Sequence, residues 1–315
     1  MSSVTGGRAT RWQDDLPRPA ASGRTDIGAS APPCYNVLIR AGYEVALAPT
    51  RTITGDPISR RSVRHIVIGG IPTAVLGSRG LADRLVADCL AHREQPERWP
   101  TMVFSTNGQT LSLAANDEGF RDDLLKADII HADGGVIVAA SRLTRARIPE
   151  RTATTDFIHH AARAAPEAGG LRFFLLGSTD EVNRAAGEKL MQLYPGVTIA
   201  GHHHGYFEPD EEGRICDLIN ASNADVVWVG LGKPLEQRFC VRNRSRIRAG
   251  WILTCGGCFH YLTGDYRRAP LWMQKAGLEW LHRMVFGPRY LIGRYLATNP
   301  HALYLIATRT RRQPE

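Results

Sequence analysis

Cysteine is sparse and scattered in this chain, with six among 315 residues, at positions 34, 89, 216, 240, 255 and 258. That spacing excludes a small secreted module held together by disulfides and makes a reducing cytosol the simpler setting. Long apolar runs are missing too. No stretch offers about 18 uninterrupted apolar residues for a membrane helix, and the first thirty residues lack the apolar core of a secretory signal. The expectation is a cytoplasmic protein, soluble or peripheral at the inner face of a membrane. Neither G-x-G-x-x-G nor a P-loop occurs, which weakens dinucleotide and P-loop nucleotide binding. No D-x-D follows an apolar run to hold a divalent cation on a diphosphate, so metal-independent chemistry follows if the substrate is a nucleotide sugar.

What is present is enough apolar material for a sizeable core, 43% of the residues, so neither a disulfide nor a structural metal is needed for folding. The net charge of +8 is unevenly spread: +4 over residues 1–65, −3 over 66–265 and +7 over 266–315. A nucleic-acid enzyme more often carries its basic stripe on the folded core, so this distribution argues against nucleic acid as the partner.

Residues 1–33 are rich in Ser, Gly, Arg, Pro and Ala, a composition that cannot offset its ordering entropy, and TGDPISRRSVRH further on reads as a linker. Residues 1–65 are therefore expected to be a flexible extension and linker. From Ile66 short apolar runs (HIVIG, TAVLG, TMVFST, ADIIHAD, RFFLLGS, VTIAGH, ADVVWVGLG, GWILTCGG) alternate with helical patterns over 79–93, 109–126, 134–143, 154–165, 179–193, 211–221 and 234–248. Continuous apolar strands alternating with helices predict a Rossmann-like α/β domain over 66–265, its sheet mainly parallel with helices on both faces. After residue 265 the strand signal stops. Residues 266–315 read as a helical C-terminal appendage punctuated by Pro270, Pro288 and Pro300.

In open α/β sheets ligands bind beyond the carboxyl ends of the strands, so the residues just after each apolar run are the candidates. Ser105, Thr106 and Asn107 follow one strand and offer hydroxyl and amide groups either to cap a helix or to bind phosphate or sugar. Asp133, followed by Gly134 and Gly135, suits a general base beside a cleft as well as it suits a plain N-cap. Gly177, Ser178 and Thr179 form a glycine turn before a helix, fit for phosphate. Gly230 and Gly232 precede Lys233, Glu236 and Gln237, which are either nucleotide contacts or surface charges at a tight turn. His202, His203 and His204 alternate faces along a strand and find no distal ligand set, so one histidine in the cleft and no metal is expected. Cys255 and Cys258 lack a second pair for zinc and read as buried thiols.

The blocks TMVFSTNGQT, ADIIHADGGVIVAAS, LRFFLLGSTDEVNRAAGEKL, GHHHGYF, ADVVWVGLGKPLEQRF and CGGCFHYLTGDYRRAP resemble, in order and spacing, the WecG/TagA/CpsF glycosyltransferases of family 26, from about Val67 to Tyr295. The resemblance implies an inverting, metal-independent transferase without a cofactor. It would move a sugar from a UDP-sugar onto a polyprenyl-diphosphate-linked saccharide in bacterial cell-surface or exopolysaccharide biosynthesis. It implies Asp133 as the base, with Gly134 beside it, and Thr106 near the reacting centre next to Asn107, although here Asn follows Thr directly. His204, Gly205, Tyr206 and Phe207 match the family's His-Gly-Tyr-Phe block. The chain departs from the family at Glu236-Gln237, where Gln-Glu is common, and at His260, where a carboxylate is common. Helix N-termini after Gly177 and Gly232, with Arg267 and Arg268, are the expected donors to a diphosphate.

The last fifty residues interleave Tyr266, Trp272, Trp280, Phe286, Tyr290, Tyr295 and Tyr304 with nine basic residues, the composition of a segment that docks on an anionic membrane surface. The bland alternative is a covering helix with its aromatics buried, Trp280 first among them. The competing class is a Rossmann-like enzyme using NAD on a nucleotide sugar. A homo-oligomer is compatible with the sequence.

Overall fold

The computed structural model describes residues 63–287 and 289–311; the reading of residues 1–62 lies outside them. Strands β1 (His65–Ile68) and β2 (Ile71–Ala74) form a separate antiparallel hairpin. Its turn, Gly69-Gly70, has φ of +58° and +86°, a backbone that only glycine adopts without strain. The main sheet comprises β3 (Thr101–Thr106), β4 (Ile129–Ala132), β5 (Leu171–Gly177), β6 (Val197–His203), β7 (Val226–Gly230) and β8 (Trp251–Thr254). Its order is β4-β3-β8-β7-β5-β6 and every pairing is parallel.

The helices in chain order are α1 (Ser78–Glu94), α2 (Gly108–Asn116), α3 (Glu118–Leu125), α4 (Gly135–Ser141), α5 (Thr154–Ala164) and α6 (Asp180–Leu193). They continue with α7 (Glu212–Ala221), α8 (Leu235–Asn243), α9 (Cys258–Thr263), α10 (Leu271–Lys275), α11 (Glu279–Phe286) and α12 (Tyr290–Arg309). Alternate strand residues point to opposite faces. Met102, Phe104, Phe174, Leu176, Val227, Val229 and Ile252 therefore share one core with α2, α3, α7, α8 and α12. Val103, Phe173, Leu175, Val226, Trp228, Trp251 and Leu253 share the other with α1, α5, α6 and α9. Both faces are covered, as the apolar runs predict.

The helical pattern over 109–126 resolves into two helices. Asp117 breaks it, because its carboxylate accepts the Phe120 N–H at 2.8 Å and starts α3, a cap that competes with helix continuation. At the C-terminus, α12 packs along α2. Ala302, Leu305 and Ile306 are buried in the α2 core, and Ser112 Oγ lies 3.0 Å from His301 Nδ1. The turn between α10 and α11 rests on α4: a Cβ at Gly135 would lie 3.0 Å from the Gly277 Cα.

The two ends of the sheet differ. Below β5 and β7, Asp225 is closed off by Arg93 at 2.8 Å and Arg172 at 3.2 Å. At the carboxyl end the strands splay into glycine turns, and Gly177 (φ +137°) lies so near β7 that a Cβ would sit 2.3 Å from the Gly230 carbonyl oxygen. Gly177→Ala is therefore expected to destabilise the fold by about 2 kcal/mol or more. A thermal melt should register this as a drop of roughly 4–8 °C.

Candidate active site

The parallel register places Thr106 opposite Ala132, so the loops leaving β3 and β4 lie side by side. Asn107 ends β3 and caps α2, its Oδ1 accepting the Thr110 N–H at 3.1 Å. The same amide donates through Nδ2 to Asp133 Oδ2 at 3.1 Å. The Thr106 carbonyl accepts the N–H groups of Asp133 (2.9 Å) and Gly134 (3.2 Å), pinning the loop that carries the carboxylate. The Thr106 hydroxyl itself is buried without a partner.

Asp133 is not a helix cap. The N-cap of α4 is Gly134, with no side-chain hydrogen bond, so the Asp133 carboxylate is not spent on the start of that helix. Burial alone would raise its pKa, but Lys233, Arg151 and the Asn107 amide together hold it below the ordinary carboxylate value. Lys233 reaches in from the β7 loop and its Nζ donates to Ser105 Oγ at 3.4 Å. Burial pushes this ammonium down from its ordinary value, against the pull of Glu236 and Asp133, and the positive charge of Arg294 and Arg283 adds to the depression.

Arg283 and Arg294 were not singled out by sequence reasoning. Arg283 stacks over Tyr261 at 5.2 Å, and Arg294 over Tyr295 at 4.7 Å with its Nε buried and without a partner. Arg151, also missed, pairs with Glu279 at 2.7 Å. None of the three stands next to a strand-end motif, and only tertiary packing brings Arg151 and Arg283 to Asp133 and Arg294 to Lys233. Arg268, by contrast, is committed elsewhere: its guanidinium takes Asp156 at 2.7 and 3.1 Å, Thr155 at 3.0 Å and Gln274 at 2.8 Å. Arg267 is exposed.

Glu236 and Gln237 are buried. Glu236 Oε2 accepts the N–H of Gly232 at 3.1 Å and of Gly256 at 3.0 Å, tying the β7 loop to the β8 loop. The Gly232 N–H is thus occupied from within. Burial lifts the Glu236 carboxyl above its usual value, although Lys233 and the two backbone donors pull it down. Asn183 performs a similar service on β5 and β6. Its Nδ2 lies 2.8 Å from the Gly177 carbonyl and 3.1 Å from those of Leu175 and His203.

Ser178 holds φ of +59° in the turn before α6. Its Oγ lies 3.0 Å from His260 Nε2, and His260 Nδ1 lies 3.1 Å from Asp265 while its ring stacks on Tyr266. The imidazole at the position where a carboxylate is common thus bridges the β5 and β8 loops. His204 Nδ1 accepts the Tyr206 N–H at 3.2 Å, and the Gly205 N–H donates to the Ser178 carbonyl at 2.8 Å. Among the described residues no group of three or more His, Cys, Asp or Glu side chains is arranged to hold a metal ion. Cys258 does open α9, as a redox pair would require, but burial pushes the thiols of Cys255 and Cys258 well up, opposite to a reactive cysteine.

Six parallel strands gather a carboxylate, an amide and several cations toward their carboxyl ends, the arrangement of an α/β enzyme site. The chain belongs to the WecG/TagA/CpsF glycosyltransferase family, whose model matches residues 66–315. It is 31% identical over 187 residues to the N-acetylglucosaminyldiphosphoundecaprenol N-acetyl-beta-D-mannosaminyltransferase of Bacillus subtilis, covering 59% of this chain and 72% of the relative. A Staphylococcus aureus protein of the same name is 27% identical over 210 residues, covering 67% and 81%.

Glu236→Ala would strand two backbone N–H groups in the interior, at about 1–3 kcal/mol each at most. A lowered melting midpoint of the ligand-free protein is expected; an unchanged midpoint with only a raised donor KM would instead make Glu236 a nucleotide contact.

Proposed function

We propose that this glycosyltransferase is an inverting enzyme that moves an N-acetylhexosamine, of the N-acetylmannosamine type, from its UDP conjugate to a polyprenyl-diphosphate-linked saccharide at a membrane surface, in the assembly of a bacterial cell-surface polymer. The observation that carries this reading is a buried carboxylate, hydrogen-bonded by Asn107 and held below its ordinary pKa by the charges of Lys233 and Arg151. The names of the relatives support the sugar and the acceptor.

The chemistry is a single displacement at the anomeric carbon. The acceptor hydroxyl oxygen forms the new bond, its proton passes to an Asp133 oxygen, and the bond to the UDP oxygen breaks with both electrons leaving on the diphosphate. Because Asp133 is held below the usual carboxylate range, it accepts the proton late, as the hydroxyl becomes acidic in the transition state. Lys233, Arg283 and Arg294 receive the charge that develops on the departing diphosphate, and the partnerless Nε of Arg294 is a donor in want of such an acceptor. Charge supplied by side chains takes the place that a divalent cation holds in other nucleotide-sugar transferases.

The acceptor is a lipid, and the C-terminal helices offer a surface for one. Trp272 is 64% exposed, Phe286 71% and Leu296 66%, and even Trp280 remains 38% exposed rather than in the core. Among the described residues no helix is long and apolar enough to cross a membrane, so contact at the interface is the mode proposed.

Assay of UDP-N-acetylhexosamines with a lipid-linked acceptor tests the reading. Asp133→Asn is expected to lower kcat by about 10²–10⁴ while UDP-sugar binding persists; full turnover by this variant sinks the base assignment. The pH profile follows from the same shifts. Asp133 loses its charge only below the ordinary carboxylate range, so the acid limb lies there. Lys233 must be protonated to stabilise the leaving group, so activity falls as pH rises through its lowered pKa, earlier than for a free lysine. Lys233→Arg should move that alkaline limb upward, and an unmoved limb would assign it to another group.

A further inference from the structure

Ser178, His260 and Asp265 form a hydrogen-bonded chain between the β5 and β8 loops that the displacement chemistry does not use. We propose that this chain makes Ser178 Oγ a hydrogen-bond acceptor for a hydroxyl group of the nucleotide sugar, rather than a donor to its diphosphate, with His260 as the positioning residue. The inference rests on the reading of a UDP-sugar donor. It narrows which part of that donor meets the β5 turn.

The polarity of each bond follows from the Asp265 end. Asp265 Oδ2 accepts the Thr263 hydroxyl at 2.8 Å and stands 3.1 Å from His260 Nδ1. A carboxylate offers only acceptors, so the proton of the neutral imidazole lies on Nδ1 and Nε2 is left as a lone pair. Ser178 Oγ, 3.0 Å from Nε2, therefore turns its hydrogen toward the ring. What the serine keeps for a ligand is its own lone pairs. A ligand hydroxyl can donate to them, whereas a phosphate oxygen, itself an acceptor, finds no hydrogen there. Stacking on Tyr266, with 4.8 Å between ring centroids, holds the imidazole in this orientation.

The backbone keeps this hydroxyl in place at a cost. Ser178 holds φ of +59°, a conformation that glycine takes without strain and serine does not. The Gly205 N–H fixes the Ser178 carbonyl at 2.8 Å. The next residue, Thr179, is spent on capping α6, its Oγ1 accepting the Val182 N–H at 3.3 Å. A serine standing where glycine is preferred, at the carboxyl end of a strand in an open α/β sheet, points to a side chain that meets the ligand. Serine, histidine and carboxylate in this order also make a hydrolase triad, but there the carboxylate is buried, and the Asp265 side chain is 49% exposed. The opposing account is a tie that only joins two loops.

Calorimetric binding of UDP-N-acetylhexosamines to the full chain reads the polarity. His260→Lys puts a donor beside Ser178 and turns the serine hydrogen outward. Binding should then weaken roughly threefold to tenfold, the loss of one hydrogen bond, whereas a diphosphate contact would tighten through the outward hydrogen and the added cation. His260→Gln, which can still accept from Ser178, should restore most of the affinity. Ser178→Gly relieves the left-handed strain, so it should melt no lower than the unaltered protein while binding weakens to a similar degree. Parallel measurements with UDP separate the two sources of the hydroxyl: a matching loss puts it on the ribose, and a loss confined to the UDP-sugar puts it on the hexosamine. Tighter binding by His260→Lys, unchanged affinity in folded Ser178→Gly, or covalent labelling of Ser178 by a fluorophosphonate overturns the proposal. If the unaltered protein binds no UDP-sugar, the donor reading fails and the inference with it; if it binds and the variants match it, only the inference fails.

Discussion

A carboxylate kept ionised against burial is the constraint around which the crevice is built. Asp133 sits where desolvation favours its neutral acid, and it stays charged because Lys233, Arg151 and the Asn107 amide outweigh that penalty. These partners come from separate parts of the chain. Asn107 arrives through the β3–β4 register, Lys233 through the β7 loop, and Arg151 from the segment before α5. Arg151 is in turn fixed by Glu279 of α11, which belongs with Asp156 and Arg268 to one charge cluster. The state of the Asp133 carboxylate therefore depends on the C-terminal helices being seated. Close backbone approach makes that seating possible: Gly277 meets Gly135 at the start of α4, where a Cβ on Gly135 would come within 3.0 Å of the Gly277 Cα.

The loops around the carboxylate are stiffened from beneath by groups that never face the crevice. Glu236 joins the β7 and β8 turns, Asn183 joins the ends of β5 and β6, and the Thr106 carbonyl holds the β4 loop. Each uses a side chain or carbonyl to satisfy backbone polar groups that glycine turns leave without secondary-structure partners. Such ties keep donors and acceptors at fixed positions before substrate arrives, which is where electrostatic catalysis gains most.

Much of the fold was legible in the sequence because burial on both faces leaves a local mark. The runs of β3, β5, β7 and β8 are continuously apolar and their strands lie where those runs fall. The antiparallel pairing of β1 with β2 and the break at Asp117 depend on turn and cap chemistry that periodicity does not register. Strand-end position singled out Asn107, Asp133 and Lys233, three residues that the fold brings together. It could not show that Glu236, read as a nucleotide contact, spends its Oε2 on the N–H groups of Gly232 and Gly256. Nor could it find Arg151, Arg283 and Arg294, which reach Asp133 and Lys233 only by packing across the molecule. Arg267 and Arg268 drew notice by adjacency, yet Arg268 closes an internal ion pair.

The uneven charge has a structural counterpart. The positive C-terminal segment divides between an inner and an outer set. Arg283 and Arg294 lie against tyrosine rings near Lys233, half-buried, whereas Arg309 and Arg311 stand exposed at the end of α12. Helix α12 joins the two, running from Arg294 to Arg309 with Ala302, Leu305 and Ile306 locked into the α2 core between them. A rigid helix carrying cations at both ends keeps a fixed distance between them. For the reaction proposed above, with a nucleotide-sugar donor and a lipid-anchored acceptor, such a spacing would let the reacting hydroxyl meet Asp133 while its lipid stays in the bilayer.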